Sequence, residues 1–117
     1  MVFGTPGGDA YDQWTMQFFL NYVDFGMNLQ EALDAPTVHS VHFPSSFYPR
    51  KAFPGRVIAE SHIPSSVAKD LEGKGHEVVN TGGWANGKVM GVRYDKAKGV
   101  IMGAVSSKGN IGYAIGW

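Results

Sequence analysis

One helix near the start of the chain restricts the fold more than any other feature. Residues 9 to 25 predict a helix, because Trp14, Phe18 and Tyr22 recur at four-residue spacing. Gly26 is a natural residue to close it. Further apolar side chains widen the same face: Tyr11, Phe19, Leu20, Val23 and Phe25. A face this broad has to be covered by other structure, so we expect a packed domain that also self-associates as a homo-oligomer.

The segments on either side of this helix have clear turn and capping signals. Val2 to Gly8 predict the end of a strand that runs into a glycine-rich turn, and Asp9 is the predicted N-cap of the long helix. After the helix, Asn28 and Glu31 form a capping pair that opens a short second helix. Pro36 ends that second helix, because proline cannot continue it.

The rest of the chain predicts short strands and one more helix. Thr37 to Phe53 is irregular and punctuated by proline, and a third helix begins next to Pro64 and ends at Gly73 or Gly75. The predicted strands are Val57 to Ile63, His76 to Asn80, Lys88 to Tyr94 and Val100 to Val105, the last two forming a hairpin. Helices separated from mainly antiparallel strands indicate an α+β fold, and 117 residues fit a single domain over residues 1–117.

Composition excludes several classes of function. Ten basic residues balance ten acidic ones, so no charge pattern for nucleic acid or an anionic membrane is present. The chain has no cysteine, which excludes thiolate chemistry and cysteine-bound metals. No apolar stretch in it approaches the roughly 20 residues that span a bilayer. The compartment in which the protein works is left open.

The histidines do not predict a metal site. His39 and His42 are three residues apart, but they fall in the proline-rich loop without a third ligand nearby, so hydrogen-bonded or partly exposed loop histidines are the simpler interpretation. His62 and His76 flank the third helix and are interpreted as structural. No cofactor is indicated. Arg50 and Lys51 could contact an anionic substrate, although solvated loop charges are the more common case.

Three stretches of the chain match one family in order. They are Gly4-Thr5-Pro6-Gly7-Gly8, the run from Met27 to Pro36, and Gly75-His76 together with the terminal Gly112 to Trp117. With this order and spacing, the chain resembles the C-terminal end of the γ-glutamyltransferase family over essentially its whole length. The stretch from His42 to Arg50 is more similar to the acylase-like branch of that family.

The resemblance implies a fold and a chemistry. The fold would be part of the αββα sandwich of N-terminal-nucleophile hydrolases, with helices on one side of the strands in this portion. In such enzymes a threonine exposed by self-cleavage attacks a γ-glutamyl or related amide, and its own α-amine is the base. Gly7 and Gly8 would donate backbone N–H groups to the oxyanion. The alternative is that the two glycines only make a tight turn.

The resemblance also implies what this chain does not carry. The family's nucleophilic threonine precedes the glycine loop, so we expect a C-terminal segment that is inactive without an upstream segment or large subunit. The alternative is a truncated, non-catalytic folding or oligomerisation module. Ser106 to Gly109 stand where relatives often have an arginine, which puts a local ion pair in doubt. The acyl group and the acceptor, water or an amine, are not determined.

Overall fold

The computed structural model describes residues 1–109 and 112–115. Its elements, in chain order, are β1 (Val2–Gly4), α1 (Tyr11–Val23), α2 (Leu29–Asp34), β2 (Val38–Ser40), β3 (Arg56–Ala59), α3 (Ser65–Gly73), β4 (Glu77–Asn80), β5 (Met90–Asp95) and β6 (Val100–Val105), with a short 3-10 turn (Gly8–Ala10) before α1. No helix within these residues is long and apolar enough to cross a membrane. Of the terminal stretch that carries the resemblance, Gly116 and Trp117 lie outside the described residues.

The chain divides into two compact units. Unit 1 consists of Met1–Ala35 and Gly87–Trp117, and unit 2 is Pro36–Asn86. Mixed helices and mainly antiparallel strands confirm the predicted α+β class. The single domain over residues 1–117 stays a prediction.

Unit 1 is a three-stranded antiparallel sheet in the order β1-β5-β6. Val2 pairs with Val92, and the hairpin register runs from Met90 opposite Val105 to Asp95 opposite Val100. The predicted hairpin is therefore confirmed. Gly99 lies in the turn between β5 and β6 and has φ 66°, a left-handed conformation that favours glycine.

The core of unit 1 forms where α1 and α2 meet this sheet. Phe18 is buried, and Trp14 and Tyr22 are partly buried against the same cluster. The other buried members are Leu29, Ala32, Leu33 and Val89. The four-residue stripe predicted for α1 is therefore its core face. The residues expected to widen it are exposed: Tyr11, Phe19, Leu20, Val23 and Phe25.

The ends of the helices confirm one predicted cap and correct another. Asn28 caps α2, and its side chain accepts from the Glu31 N–H while the Glu31 carboxylate accepts from the Asn28 N–H, both at 2.9 Å. Asp9 does not cap α1, because a 3-10 turn precedes the helix and the N-cap position falls on Ala10 without a side-chain bond. α1 ends at Val23, two residues before the predicted end at Phe25, and Gly26 follows with φ 68°.

Unit 2 is a mixed sheet in the order β2-β3-β4. β2 runs antiparallel to β3, whereas β4, which follows α3, runs parallel to β3. β2 lies inside the segment predicted to be irregular, so that prediction was wrong for Val38–Ser40. β3 ends at Ala59, four residues before the predicted end, because Glu60 turns away from the ladder into a buried network.

That network joins the two ends of unit 2. Glu60 is 1% exposed, and its carboxylate accepts from the Thr37 N–H and the Asn86 N–H, each at 2.9 Å. The Glu60 N–H also donates to the Thr37 carbonyl at 3.2 Å. Thr37 and Asn86 lie at the beginning and the end of unit 2, so one buried carboxylate closes the unit where the chain enters and leaves it.

In the described part of the chain, the sheet of unit 1 has helices on one face only. The opposite face, here called the open sheet face, consists of exposed apolar side chains: Val2, Met90, Val92, Tyr94 and Ile101. A cavity of about 620 Å³ opens along part of it, between β1, β5, β6 and Tyr113. An apolar surface of this kind marks a contact site rather than a solvated face.

We expect the purified chain to self-associate through the open sheet face. The core stripe of α1 is already packed, although its flanking apolar side chains are exposed. The open sheet face presents a contiguous row of apolar side chains across neighbouring strands. Sedimentation velocity over a wide concentration range should show oligomers, and Val92→Lys should reduce them. Lys98→Glu, in the hairpin turn, should change little. A clean monomer at every concentration would contradict the expectation.

Candidate oxyanion site

The glycine loop connects β1 to the 3-10 turn that precedes α1. Thr5 is buried, and its hydroxyl donates to the Pro6 carbonyl at 2.7 Å. The Gly7 carbonyl accepts from the Ala10 N–H at 3.1 Å, which closes the turn. Gly8 follows with φ 53°, in the left-handed region. The loop is therefore held by its own backbone and presents its two glycines at the surface.

Two consecutive backbone donors are available in this loop. Within residues 1–109 and 112–115, neither the Gly7 N–H nor the Gly8 N–H donates to a protein acceptor. They lie at the N-terminal side of a helical segment, where the backbone dipoles favour negative charge. Unpaired N–H groups beside bare Cα atoms can stabilise a carbonyl oxygen that becomes negative during attack.

The two glycines are required by the fold for different reasons. A Cβ on Gly7 would lie 2.3 Å from a ring carbon of Trp14, so the packing of α1 excludes a side chain there. Gly8 is required instead by its backbone conformation, since φ 53° costs most residues energy. The absence of side chains alone therefore does not distinguish an oxyanion site from a tight turn, and a test has to use Gly8.

The histidines are placed apart, each in a local contact. His39 lies in β2 rather than in a loop, which corrects the prediction, and burial lowers the pKa of its side chain. His42 Nδ1 accepts from the Gly55 N–H at 2.9 Å, and His62 Nε2 accepts from the Trp84 indole at 3.3 Å. Nowhere in the described ranges do three His, Asp or Glu side chains group as metal ligands.

The charged residues singled out in the sequence occupy two contrasting places. Arg50 and Lys51 are exposed in the loop between β2 and β3. Lys108 is buried, and its amine donates to the carbonyl of Ala35, the C-cap of α2. A cation at a helix C-terminus is electrostatically favourable. Lys108 thus places a buried positive charge in the segment from Ser106 to Gly109.

Sequence reasoning missed Glu60 and the burial of Lys108. Glu60 lies in an apolar segment that predicts a strand. The two residues whose N–H groups donate to its carboxylate, Thr37 and Asn86, are 23 and 26 residues away in the sequence. Lys108 stands in a polar, glycine-containing segment that predicts solvent exposure. No local signal in either segment indicates a buried charge.

Known proteins place this architecture in one class of enzyme. The structure of LmbA2991HD is similar over 98% of this chain with a TM-score of 0.91 and 42% identity. The cephalosporin acylase from Bacillus halodurans is similar over 91% of this chain with a TM-score of 0.71 and 27% identity. The fold is that of part of an N-terminal-nucleophile hydrolase.

The family follows from the sequence match. The family model for gamma-glutamyltranspeptidase matches residues 1–117, and the glutathione hydrolase proenzyme of Bacillus subtilis (strain 168) is 28% identical over 116 residues. This chain belongs to the γ-glutamyltranspeptidase family, and the similarity to an acylase agrees with the predicted branch.

The chain corresponds to a small part of these relatives. It spans 18% of the Bacillus subtilis relative, 21% of LmbA2991HD and 18% of the Bacillus halodurans acylase. The match includes the glycine loop and α2.

Proposed function

We propose that this chain is the C-terminal segment of an N-terminal-nucleophile amidohydrolase or acyltransferase, and that it supplies the oxyanion loop. The observation that carries the proposal is the pair of unpaired, exposed N–H groups of Gly7 and Gly8 in a chain of this family. The substrate class is a γ-glutamyl amide or a related amide, by likeness to the family.

The chemistry divides between this chain and a polypeptide outside its 117 residues. A threonine Oγ from that polypeptide attacks the amide carbonyl, its proton passes to the threonine's own α-amine, and the carbonyl oxygen becomes negative. Gly7 and Gly8 donate to that oxygen. The C–N bond then breaks as the amine leaves with the proton, and water or an amine later takes the acyl group from the ester.

The open sheet face supports the need for a second polypeptide. A two-sheet sandwich covers each sheet with helices on one face and with the other sheet on the opposite face. The sheet of unit 1 has helices on one face, while its other face is apolar and is left exposed by the residues that the structure describes. An upstream segment would bring the second sheet together with the nucleophile.

We expect the purified chain alone to show no turnover of a γ-glutamyl anilide, since none of its residues pairs a nucleophilic oxygen with an α-amine base. Co-expression with the part of LmbA2991HD that this chain does not match should produce a complex that forms an acyl-enzyme. Release of the aniline, followed by absorbance, measures turnover by the chain alone and by the complex. The control is the same complex with the upstream threonine replaced by alanine.

Two outcomes would contradict this proposal. Turnover by the rigorously purified chain would place the nucleophile within the 117 residues. A stable complex that never forms an acyl-enzyme on any amide tested would favour the alternative, a non-catalytic folding or oligomerisation module. The open sheet face is the observation that supports this alternative.

A further inference from the structure

The loop between β2 and β3 exposes aromatic side chains beside two cations. Tyr48 is 94% exposed, Phe43 79% and Phe47 63%. Arg50 and Lys51 follow in the same loop, after Pro49. We call these five residues the basic aromatic loop. Aromatic and arginine side chains are the residues enriched at the centres of protein interfaces.

This loop has a defined shape, so its exposure does not come from an unstructured chain. The Phe53 N–H donates to the Val41 carbonyl at 3.1 Å, and the Ser45 N–H donates to the Lys51 carbonyl at 2.9 Å. The Arg50 N–H donates to the Phe47 carbonyl at 2.7 Å, and Arg50 is held at φ 58°. A non-glycine residue in this conformation persists when its surroundings fix it, and such positions cluster at functional sites.

The charge of the loop is not neutralised within the described residues. Arg56 pairs with Glu77 at 2.9 Å and stacks on Phe53, whereas Arg50 and Lys51 have no ion pair in residues 1–109 and 112–115. No acidic residue occurs between Asp34 and Glu60. The surface that fits this loop is therefore apolar and carries at least one carboxylate.

We propose that the basic aromatic loop docks onto the upstream polypeptide of the same enzyme, on a surface with apolar pockets and a carboxylate. This inference rests on the proposed function, which requires that polypeptide. This chain covers only 21% of LmbA2991HD, so under the proposed function the larger part of the enzyme is the upstream polypeptide. Exposed apolar surface of this kind marks an interaction site, and the proposed upstream polypeptide is the partner available to cover it.

Magnitudes favour a protein partner over an anionic lipid surface. Each basic residue near such a surface adds only a small attraction, and segments that bind anionic lipid have about four to eight of them. The loop has two unpaired cations, and the whole chain has equal numbers of basic and acidic residues. Lipid binding would be weak, whereas two cations are sufficient to orient a protein contact.

The test measures whether the loop becomes covered. Because the chain has no cysteine, Tyr48→Cys gives a single label site, and Lys69→Cys in α3 is an exposed control in the same unit. Maleimide labelling is followed by mass spectrometry on the chain alone and on its complex with the unmatched part of LmbA2991HD. When about nine chains in ten are in complex, labelling of Tyr48→Cys should slow about tenfold, with Lys69→Cys unchanged.

A second variant tests the charge. Arg50→Glu should keep the melting temperature of the chain and weaken the complex at least about tenfold, because it places an acid against the partner's carboxylate. A complex that labels at the rate of the chain alone, equal protection of both cysteines, or no complex at all would overturn the docking. Protection by vesicles of phosphatidylcholine with phosphatidylserine, without protection by the polypeptide, would assign the loop to lipid and also overturn it.

The labelling result is separate from catalysis. A protected Tyr48→Cys in a complex without acyl-enzyme would support the docking and contradict the proposed function. An active complex in which Tyr48→Cys is not protected would support the proposed function and contradict the docking.

Discussion

Replacing Gly8 by valine is expected to lower the acylation rate of the reconstituted enzyme by about 10²–10³-fold. The loss of one oxyanion donor has this size, and a branched side chain shifts the N–H and crowds the position of the carbonyl oxygen. Because Gly8 has φ 53°, the same substitution should also cost about 1–2 kcal/mol of stability. Stability therefore has to be separated from catalysis.

Gly99 provides the matched control for this separation. It lies in the β5–β6 turn of the same unit with φ 66°, and a Cβ there would meet nothing within 4 Å. Gly99→Val should cost similar stability and leave acylation within a few fold. Melting temperature and single-turnover acylation are measured on both variants. Equal losses of acylation in the two variants, or unchanged acylation in a folded Gly8→Val, would end the oxyanion assignment.

The largest loss of stability is expected from Glu60→Ala. The buried Thr37 N–H and the part-buried Asn86 N–H would both lose their acceptor, and an unpaired buried donor costs about 1–3 kcal/mol. The sum is a large fraction of the stability of a small domain, which is about 5–15 kcal/mol. We therefore expect a strong decrease in the free energy of unfolding, measured by urea denaturation.

Glu77→Ala is the control for the loss of a carboxylate. Glu77 forms a surface ion pair with Arg56 at 2.9 Å, and such pairs contribute about 0.2–1 kcal/mol. Amide hydrogen exchange adds a local readout, because the Thr37 and Asn86 amides should lose protection together in Glu60→Ala. If the two variants unfold at the same urea concentration, Glu60 does not close unit 2.

The parts of the fold that sequence predicted are those fixed by local chemistry. Asn28 and Glu31 specify a capping box within four residues, and the β5–β6 turn closes over a few residues around Gly99. The parts that were missed depend on distant partners. β2 is three residues long and is a strand only because it pairs with β3, and the parallel pairing of β3 with β4 has no local signature.

The candidate site also has features that the local sequence predicts and features that depend on residues farther along the chain. The glycine motif located the loop, but the contact that excludes a side chain at Gly7 comes from Trp14, one turn into α1. Asp9 was expected to cap that helix because it follows the loop directly. The 3-10 turn moves the N-cap of α1 by one residue, from Asp9 to Ala10, and a cap signal in the sequence does not reveal such a turn.

The burial of Lys108 makes its amine a chemical reporter of folding. All the lysines lie in the described residues, and Lys108 is the only buried one among them. Its amine donates a hydrogen bond to the Ala35 carbonyl. An amine-reactive reagent added to the native protein reaches the exposed lysines at once. It reaches Lys108 only when the structure around it opens. The rate at which this one residue is modified thus measures how often the native state opens, without any engineered label.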